Sequence, residues 1–256
     1  MGTGTDVSQT DSPEEVSFDM VDTYVLSSVN KDSQTVYKQL ELQDLEAVFF
    51  DCDDTLYPSS CKVSEQVRKN IQSYMNEKLQ IPTDKVLDLQ HSLFLEYGTT
   101  LKGLQELYAI DPYEYWSYIH WSLDYESLIQ KDSSLRSILQ WLPFRKFVFT
   151  NADKTHAQKC LQALDIPEEI FEDIIDVVSV GFNNKPDPKS FLAALKIARV
   201  DNPSKALLFD DSVRNLRAAK NIGWHVVAVG NSSIEAKEFC DAWIPSLHYI
   251  PCVLSK

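Results

Sequence analysis

Acidic residues directly follow two apolar segments of the chain, and their types and spacing could bind a metal ion. Asp51, Asp53 and Asp54 follow Ala-Val-Phe-Phe, and Asp210 and Asp211 follow Leu-Leu-Phe. One interpretation is a polar turn in which an aspartate caps a helix. Carboxylates at the end of a buried strand are costly to bury unpaired, however, and hard Mg²⁺ prefers carboxylate oxygens. We therefore expect Mg²⁺ to bind where these acids meet.

Three further polar residues stand at similar positions. Thr150 and Asn151 follow the apolar segment Phe-Val-Phe, and Lys185 lies in the loop Asn-Asn-Lys-Pro-Asp. A Thr-Asn pair before a helix is usually a cap, and a lysine in a loop is usually solvated. At the same edge of a sheet as the acids, the ammonium group would instead supply a point charge for a phosphoryl oxygen.

The elements that position these residues alternate between short apolar runs and helical segments. The predicted strands are Ala47–Phe50, Phe147–Phe149, Ile174–Val178, Ala206–Phe209 and Val226–Val229. The predicted helices between the later strands are Asp153–Leu164, Pro188–Ala198, Val213–Asn221 and Ile234–Cys240. Strands that are apolar on both faces and alternate with helices predict an α/β fold with a doubly wound parallel sheet.

A long interval after the first strand interrupts this alternation. Residues 57–142 contain no strand-like run and predict helices. The predicted helices are Ser64–Leu79, Asp84–Tyr97, Leu101–Tyr108, Pro112–Trp121 and Ser133–Trp141. A connection of this length is an inserted domain rather than a loop, and it starts at the sheet edge where ligands bind. We predict an all-helical cap at 57–142, an α/β core formed by 45–56 and 143–256, and an acidic, partly disordered segment at 1–44.

Composition excludes two classes of partner. Lys and Arg total 24 and Asp and Glu total 38, so the formal net charge is −14. A nucleic-acid binder needs a basic face, and the apolar runs are too short to span a bilayer, so we expect neither nucleic acid nor membrane as a partner. Five cysteines without a Cys-x-x-Cys pair, and an N-terminus without a secretory pattern, predict a reduced cytoplasmic or nuclear setting.

The ordered polar motifs resemble those of the haloacid dehalogenase (HAD) superfamily. The matching motifs are Asp51-x-Asp53-x-Thr55, Thr150-Asn151, Lys185 and Asp210-Asp211-Ser212. Further stretches resemble the pyrimidine 5′-nucleotidase group within that superfamily. They are Asp53-Asp54-Thr55-Leu56-Tyr57-Pro58, residues 96–104, and Phe209-Asp210-Asp211-Ser212-x-x-Asn215-Leu216. Cys52 departs from the aliphatic residue that is common there.

The resemblance implies a Mg²⁺-dependent phosphomonoesterase. Asp51 would be the nucleophile and form an aspartyl-phosphate. Asp53 would act as general acid and base, and its main-chain carbonyl would bind the metal. Asp211 is the first choice among the remaining metal ligands, with Asp210 in support.

The resemblance also assigns residues to the substrate. Thr150 and Lys185 would hold the non-bridging phosphate oxygens, and Thr55 and Asn151 are expected to contact the substrate. An acid at position 53 fits a phosphate ester, whose leaving alkoxide needs a proton, better than a dehalogenase, which expels halide.

The cap would decide which ester is hydrolysed. Tyr97, Thr100 and His120 offer stacking and hydrogen bonding to a nucleobase or ribose, although aromatics at helical spacing are usually core and His120 has the same alternative. We predict a small phosphate ester, a nucleoside 5′-monophosphate with pyrimidine preferred (UMP or CMP). The alternatives are another small ester such as a sugar phosphate, or a catalytically silent regulatory protein on the same fold.

Overall fold

The computed structural model describes residues 39–40, 42, 44–230 and 234–254. The acidic segment predicted for residues 1–44 lies outside the described residues except at positions 39, 40, 42 and 44. The strands are β1 (Ala47–Phe50), β2 (Arg145–Phe149), β3 (Asp173–Ile175), β4 (Ala206–Asp210), β5 (His225–Val229) and β6 (Ala242–Ile244). The first helices are α1 (Val63–Glu77), α2 (Thr83–Tyr97), α3 (Thr100–Tyr108), α4 (Pro112–Ile119), α5 (Tyr125–Leu128) and α6 (Ser133–Trp141). The later ones are α7 (Lys154–Leu164), α8 (Pro188–Ala198), α9 (Val213–Asn221), α10 (Ile234–Phe239) and α11 (Ile250–Val253).

The strands form one parallel sheet in the order β3-β2-β1-β4-β5-β6. β1 lies between β2 and β4, and its last residue, Phe50, pairs with Val148 on one side and with Phe209 on the other. Because parallel strands end at the same edge, this register places the residues that follow β1 beside the last residue of β4. The predicted doubly wound α/β fold is confirmed.

Alternating residues of the strands build two apolar layers. Val48 and Phe50 of β1 belong to one buried cluster, and Ala47 and Phe49 belong to the other. All four side chains are fully buried, as strands covered on both faces require. The sheet therefore holds its polar strand ends on a rigid, water-free support.

The segment between β1 and β2 consists of helices, as predicted, with α5 as a short additional turn. Residues of α1–α4 form most of a further apolar cluster, which includes Tyr74, Leu104 and Trp116. The apolar side chains of α5 and α6 instead belong to the cluster on the sheet face that contains Phe50. The predicted boundaries of the cap stay a prediction. Within this segment the buried cluster reaches Ile119, and Val177, after β3, also belongs to it.

The main differences from the sequence-based expectation concern β3 and β6, and β2 also starts two residues before the predicted Phe147. β3 ends at Ile175 instead of Val178, because the Asp176 carboxylate accepts hydrogen bonds from the backbone N–H of Ser179 and of Lys154 and turns the chain away from the sheet. β6 was not predicted at all, since three residues are too few for a periodic pattern.

Candidate active site

The strand ends bring together a carboxylate–lysine cluster, formed by Asp51, Lys185, Asp210 and Asp211. One carboxylate oxygen from each of the three aspartates lies within 4.8 Å of the others. Lys185 Nζ lies 3.0 Å from Asp51 Oδ1 and 2.8 Å from Asp210 Oδ2, and it donates to the carbonyl oxygen of Phe149 at 2.7 Å. The residues predicted to meet at one edge of the sheet do meet there.

Lys185 is fixed from two directions. Its side chain is only 1% exposed. Burial lowers the pKa of Lys185, but the charges of Asp210 and Asp51 outweigh it and hold the pKa above its usual range. The Asn151 amide accepts from the backbone N–H of Lys185 at 2.7 Å and donates to its carbonyl at 2.9 Å. Asn151 therefore positions Lys185, while its predicted contact with substrate stays a prediction.

Negative charge exceeds positive charge in this cluster. Burial, partly opposed by Lys185, raises the pKa of Asp51 well above its usual range. Burial and the charges of Asp210 and Asp54 raise the pKa of Asp211 to about 7. Three carboxylates facing one ammonium group are the oxygen-rich, negative setting that suits Mg²⁺, so the residues present fit the predicted ion.

The two acids after β4 differ in their partners. Asp210 is fully buried, and its oxygens accept from Lys185, from the Ser212 N–H at 2.8 Å and from Asn215 Nδ2 at 3.1 and 3.2 Å. Asp211 is half-buried and lines the cavity at Asp51. The geometry favours Asp211 as a direct ligand and Asp210 as the residue that anchors Lys185.

Two threonines lie at the same edge. Thr150 is buried, and its Oγ1 accepts from the Ala152 N–H at 3.0 Å, which leaves its own proton available. Thr55 Oγ1 is buried and has no hydrogen-bond partner within the part of the chain that the structure describes. Unsatisfied buried hydroxyls are rare, so this atom fits a role toward a bound group.

Asp53 belongs to a second group, the histidine cluster, formed by Asp53, Tyr57, Tyr125 and His156. Tyr57 donates to Asp53 Oδ1 at 2.5 Å, and His156 Nε2 lies 2.7 Å from the same oxygen. His156 Nδ1 lies 2.7 Å from the Tyr125 hydroxyl, whose proton is donated to the carbonyl of His120 at 3.1 Å. Both ring nitrogens therefore act as donors, as in an imidazolium ion.

The pKa values follow this pairing. Burial raises the pKa of Asp53, but the charge and hydrogen bond of His156 and the hydroxyl of Tyr57 bring it well below its usual range. Burial lowers the pKa of His156, and the Asp53 carboxylate more than reverses that effect. The sequence analysis missed His156, Tyr57 and Tyr125. The sequence offered one signal: His156 lies near the start of the predicted helix that follows the second strand.

The cap residues predicted to contact substrate do not all lie together. His120 Nδ1 lies 2.7 Å from Asp153 Oδ2 and its ring centroid is 4.2 Å from that of His156. His120 and Thr100 line one cavity with Asp53. Tyr97 lines a different depression, beside Lys102 and Asp187, and does not join them.

Two cavities meet at Asp53. The smaller, of about 210 Å³, is lined by Asp51, Lys185, Thr150 and Asp211. The larger, of about 510 Å³, extends under the α1–α3 helices. Its polar lining comprises Asp53, Ser64, Arg68, Gln72, Gln90, His91, Thr100 and His120. Asp53 is thus the polar residue that faces both spaces.

No helix among the described residues is long and apolar enough to cross a membrane.

Comparisons with known proteins agree with this geometry. A family model described as haloacid dehalogenase-like hydrolase matches residues 45–223. Phosphate metabolism protein 8 of Saccharomyces cerevisiae is 31% identical over 193 residues, which amount to 70% of this chain and 60% of that protein. The chain therefore spans about 60% of the length of this relative.

Solved structures share the fold at low identity. A HAD phosphatase from Thermococcus onnurineus superposes with a TM-score of 0.54 and 19% identity, over 80% of this chain and 96% of that one. L-2-haloacid dehalogenase from Xanthobacter autotrophicus superposes with a TM-score of 0.52 and 17% identity, over 81% and 97% of the two chains. Both kinds of hydrolase therefore share this architecture.

Proposed function

The chain belongs to the haloacid dehalogenase-like hydrolase family, and from that premise we propose that it is a Mg²⁺-dependent phosphomonoesterase for small esters, with pyrimidine nucleoside 5′-monophosphates preferred. The observation that carries the proposal is the position of Asp53. Its carboxylate faces both the cavity at Asp51 and the larger polar cavity. A group that protonates a leaving alkoxide belongs between the phosphate and the leaving group.

Asp51 is the nucleophile of this proposal. Its carboxylate follows the buried β1, and the Cys52 N–H and Lys185 fix one of its oxygens at 2.8 and 3.0 Å. The other oxygen attacks phosphorus in line and forms an aspartyl-phosphate, which water then hydrolyses. Fixing one oxygen orients the other before the substrate arrives, which lowers the entropic part of the barrier.

Asp51 and Asp211 would hold the metal ion, with the main-chain carbonyl of Asp53. When bound, Mg²⁺ lets the anionic nucleophile and the anionic phosphate approach each other. Thr55 lines a different depression, which shares Asp211 with the cavity at Asp51. In the cavity itself Lys185 carries a permanent positive charge, and Thr150 has a hydroxyl proton to donate. These donors stabilise charge on the non-bridging oxygens as it develops.

The Asp53–His156 pair supplies the proton. In the resting geometry the proton lies between His156 Nε2 and Asp53 Oδ1, 2.7 Å apart. Transfer to Asp53 as the ester bond breaks lets that carboxyl protonate the leaving oxygen, and the carboxylate then accepts a proton from the attacking water. A 2-haloacid leaving group needs no such proton, so this pair favours phosphate esters.

The larger cavity supports a polar leaving group. Arg68, Gln72, Gln90 and His91 line it opposite Asp53, and such donors and acceptors suit a ribose and a base. The same lining would accept a sugar phosphate, which is the second candidate. A catalytically silent regulatory protein is disfavoured, because the chain keeps every acid and the lysine of the site.

The test is substrate profiling of the purified chain. Phosphate release from p-nitrophenyl phosphate should require Mg²⁺ and fall at least about 100-fold with a chelator, since the ion offsets the charge of nucleophile and phosphate. UMP and CMP should then exceed AMP, GMP and hexose phosphates in kcat/KM by about tenfold, or roughly 1.4 kcal/mol. A higher kcat/KM for hexose phosphates than for UMP and CMP would reject the nucleotide preference. Halide release from 2-chloropropionate without phosphate release would reject the reaction class.

A further inference from the structure

Two thiols and an imidazole meet behind the end of β1. Cys52 stands between Asp51 and Asp53, and His156 and Cys160 lie four residues apart on α7, on the same face of the helix. All three residues are fully buried. One ligand atom from each lies within 4.8 Å of the other two. Residues that are far apart in the sequence thus assemble a compact set of nitrogen and sulfur donors.

The distance between the His156 nitrogen and the Cys160 sulfur suits tetrahedral coordination. His156 Nε2 lies 3.6 Å from Cys160 Sγ. Zn–S and Zn–N bonds of about 2.3 and 2.05 Å at a tetrahedral angle place nitrogen and sulfur about 3.6 Å apart. Asp53 Oδ1 lies near the same nitrogen and offers a carboxylate as a fourth ligand. The donors resemble a Cys₂His site completed by an acid.

The orientation of the histidine agrees with a role as ligand. Metal-binding histidines use their second nitrogen in a hydrogen bond that fixes the ring. His156 Nδ1 has such a bond to the Tyr125 hydroxyl at 2.7 Å. That bond directs Nε2 toward Asp53 and Cys160.

We infer that Cys52, His156 and Cys160 bind a zinc-type divalent ion, with Asp53 as the fourth ligand, and that this ion inhibits the hydrolase. Thiolates and imidazole select zinc over magnesium, whereas the oxygen donors of the carboxylate–lysine cluster select magnesium. The carboxylate–lysine cluster would therefore bind magnesium and the two thiols with His156 would bind zinc, at neighbouring positions after β1.

Inhibition follows from the ligands that the ion removes. Binding releases the thiol protons and the Nε2 proton to solvent. The ion then displaces the proton shared by His156 Nε2 and Asp53 Oδ1. These two atoms are 2.7 Å apart, and they must separate to the roughly 3.3 Å that lies between nitrogen and oxygen ligands of one zinc ion. Asp53 loses its proton source and its freedom to act as an acid. The side chain of Asp53 is 32% exposed and lines the larger cavity, which gives the ion a way in.

The first test measures metal binding without any substrate. The full chain, stripped of metal and kept in excess Mg²⁺, is titrated with Co²⁺ as a spectroscopic probe. We expect one equivalent to bind with a thiolate-to-cobalt charge-transfer band, and Zn²⁺ to abolish that band. Cys52→Ala and Cys160→Ala should lose it. Cys61→Ala, a half-buried cysteine outside the set, should keep it. Circular dichroism and thermal melts check that each variant folds.

A wild-type chain without the band, or a band that survives in Cys160→Ala, overturns the site.

The second test measures Zn²⁺ inhibition of phosphate release in excess Mg²⁺, normalised to each variant's own uninhibited rate. Loss of a ligand in Cys160→Ala should raise the half-inhibitory Zn²⁺ concentration by at least about tenfold. Equal inhibition of both proteins would place inhibitory zinc at the carboxylates and overturn the inhibitory role. This arm rests on the proposed function, and the cobalt titration stands without it.

Discussion

The carboxylate–lysine cluster and the histidine cluster start two residues apart at the end of β1, yet their charges are balanced differently. In the first, three carboxylates surround a single ammonium group, and the pKa values of Asp51 and Asp211 are raised. In the second, Asp53 and His156 neutralise each other, and the pKa of Asp53 is lowered while that of His156 is raised. The carboxylate–lysine cluster has too little positive charge to balance its carboxylates, whereas the histidine cluster contains the cation that balances Asp53.

The difference separates two tasks of the site. An excess of buried carboxylate is stable only when a cation offsets it, so the first cluster suits a metal ion and a phosphate. A self-neutralised pair suits the movement of one proton between fixed atoms. Variants that change one cluster at a time should therefore fail in different ways.

Asp51→Asn should have the largest effect. The amide is a poor nucleophile, so kcat falls by at least about 10³-fold. Stability should stay equal or rise, because the burial that raises the pKa of Asp51 disfavours its ionised form. Phosphate-release assays and thermal melts check both results. Asp84→Asn, at the exposed start of α2, is the matched control. Activity near that of the control would contradict the nucleophile assignment.

Lys185→Met should destabilise the fold itself. It leaves Asp51 and Asp210 buried without their cation, and removing one partner of a buried ion pair lowers the free energy of unfolding by about 3–5 kcal/mol. Added Mg²⁺ should restore part of this loss, since it binds only the folded state. Urea unfolding with and without Mg²⁺ measures both terms.

The control for that variant is Lys154→Met, whose ion pair with Asp173 at 3.2 Å is 44% exposed on both sides. Its loss should be below about 1 kcal/mol. A similar decrease in the free energy of unfolding in the two variants would mean that the buried ion pairs of Lys185 stabilise the fold no more than an exposed one.

His156→Asn should impair proton transfer and leave the metal cluster intact. We expect kcat to fall by about 10²-fold. The Mg²⁺ concentration needed for half-maximal activity should not change, because the carboxylate–lysine cluster keeps all its residues. The pKa of Asp53 should rise once the imidazolium is gone, so the acid limb of the kcat/KM profile moves to higher pH. His225→Asn, at the start of β5, serves as control. A lower rate with an unshifted pH profile would reduce His156 to a packing residue.

Asp132→Asn should have a small, pH-dependent effect on stability outside both clusters. Burial raises the pKa of Asp132, but hydrogen bonds from His248 and from the Leu135 N–H lower it overall. A lowered folded-state pKa stabilises above the unfolded value near 3.9, and this stabilisation disappears as the pH falls through that range. The variant should lose about 0.5–1 kcal/mol at pH 7 and clearly less at pH 3, below the unfolded value.

Urea midpoints at the two pH values measure the difference. Asparagine caps helices as well as aspartate does, so the cap at α6 remains in both proteins. An identical difference at pH 7 and pH 3 would show that charge plays no part.

Much of the fold and one cluster were predictable from the sequence. Short runs that are apolar on both faces predicted five of the six strands in the described residues, and the parallel sheet follows from their alternation with helices. β6 was missed because it has only three residues. The early end of β3 was missed because it depends on the hydrogen bonds of Asp176. Short-range patterns cannot report such local competition.

The cap illustrates the same limit. Its helices were predictable from spacing and from caps such as Asp111 at the start of α4. Which of its polar residues face the site was not, because that depends on how α1–α4 pack around their own apolar cluster. Tyr97, Thr100 and His120 were expected together, and the packing separates Tyr97 from the other two.

By itself the sequence determined where the carboxylates and Thr150 lie, because parallel strands carry whatever directly follows them to one common edge. Lys185 lies in a loop ten residues after β3, and its place beside them depends on its contacts with Asn151, Asp51 and Asp210. Only the tertiary structure decided the surroundings of Asp53. His156 reaches it from 103 residues away. Cys160 lies one turn further along the same helix, and Tyr125 comes from α5. Contacts between side chains on separate helices depend on packing angles and rotamers that no periodicity encodes. The proton-holding half of the site, and the thiols beside it, become visible only in the folded chain.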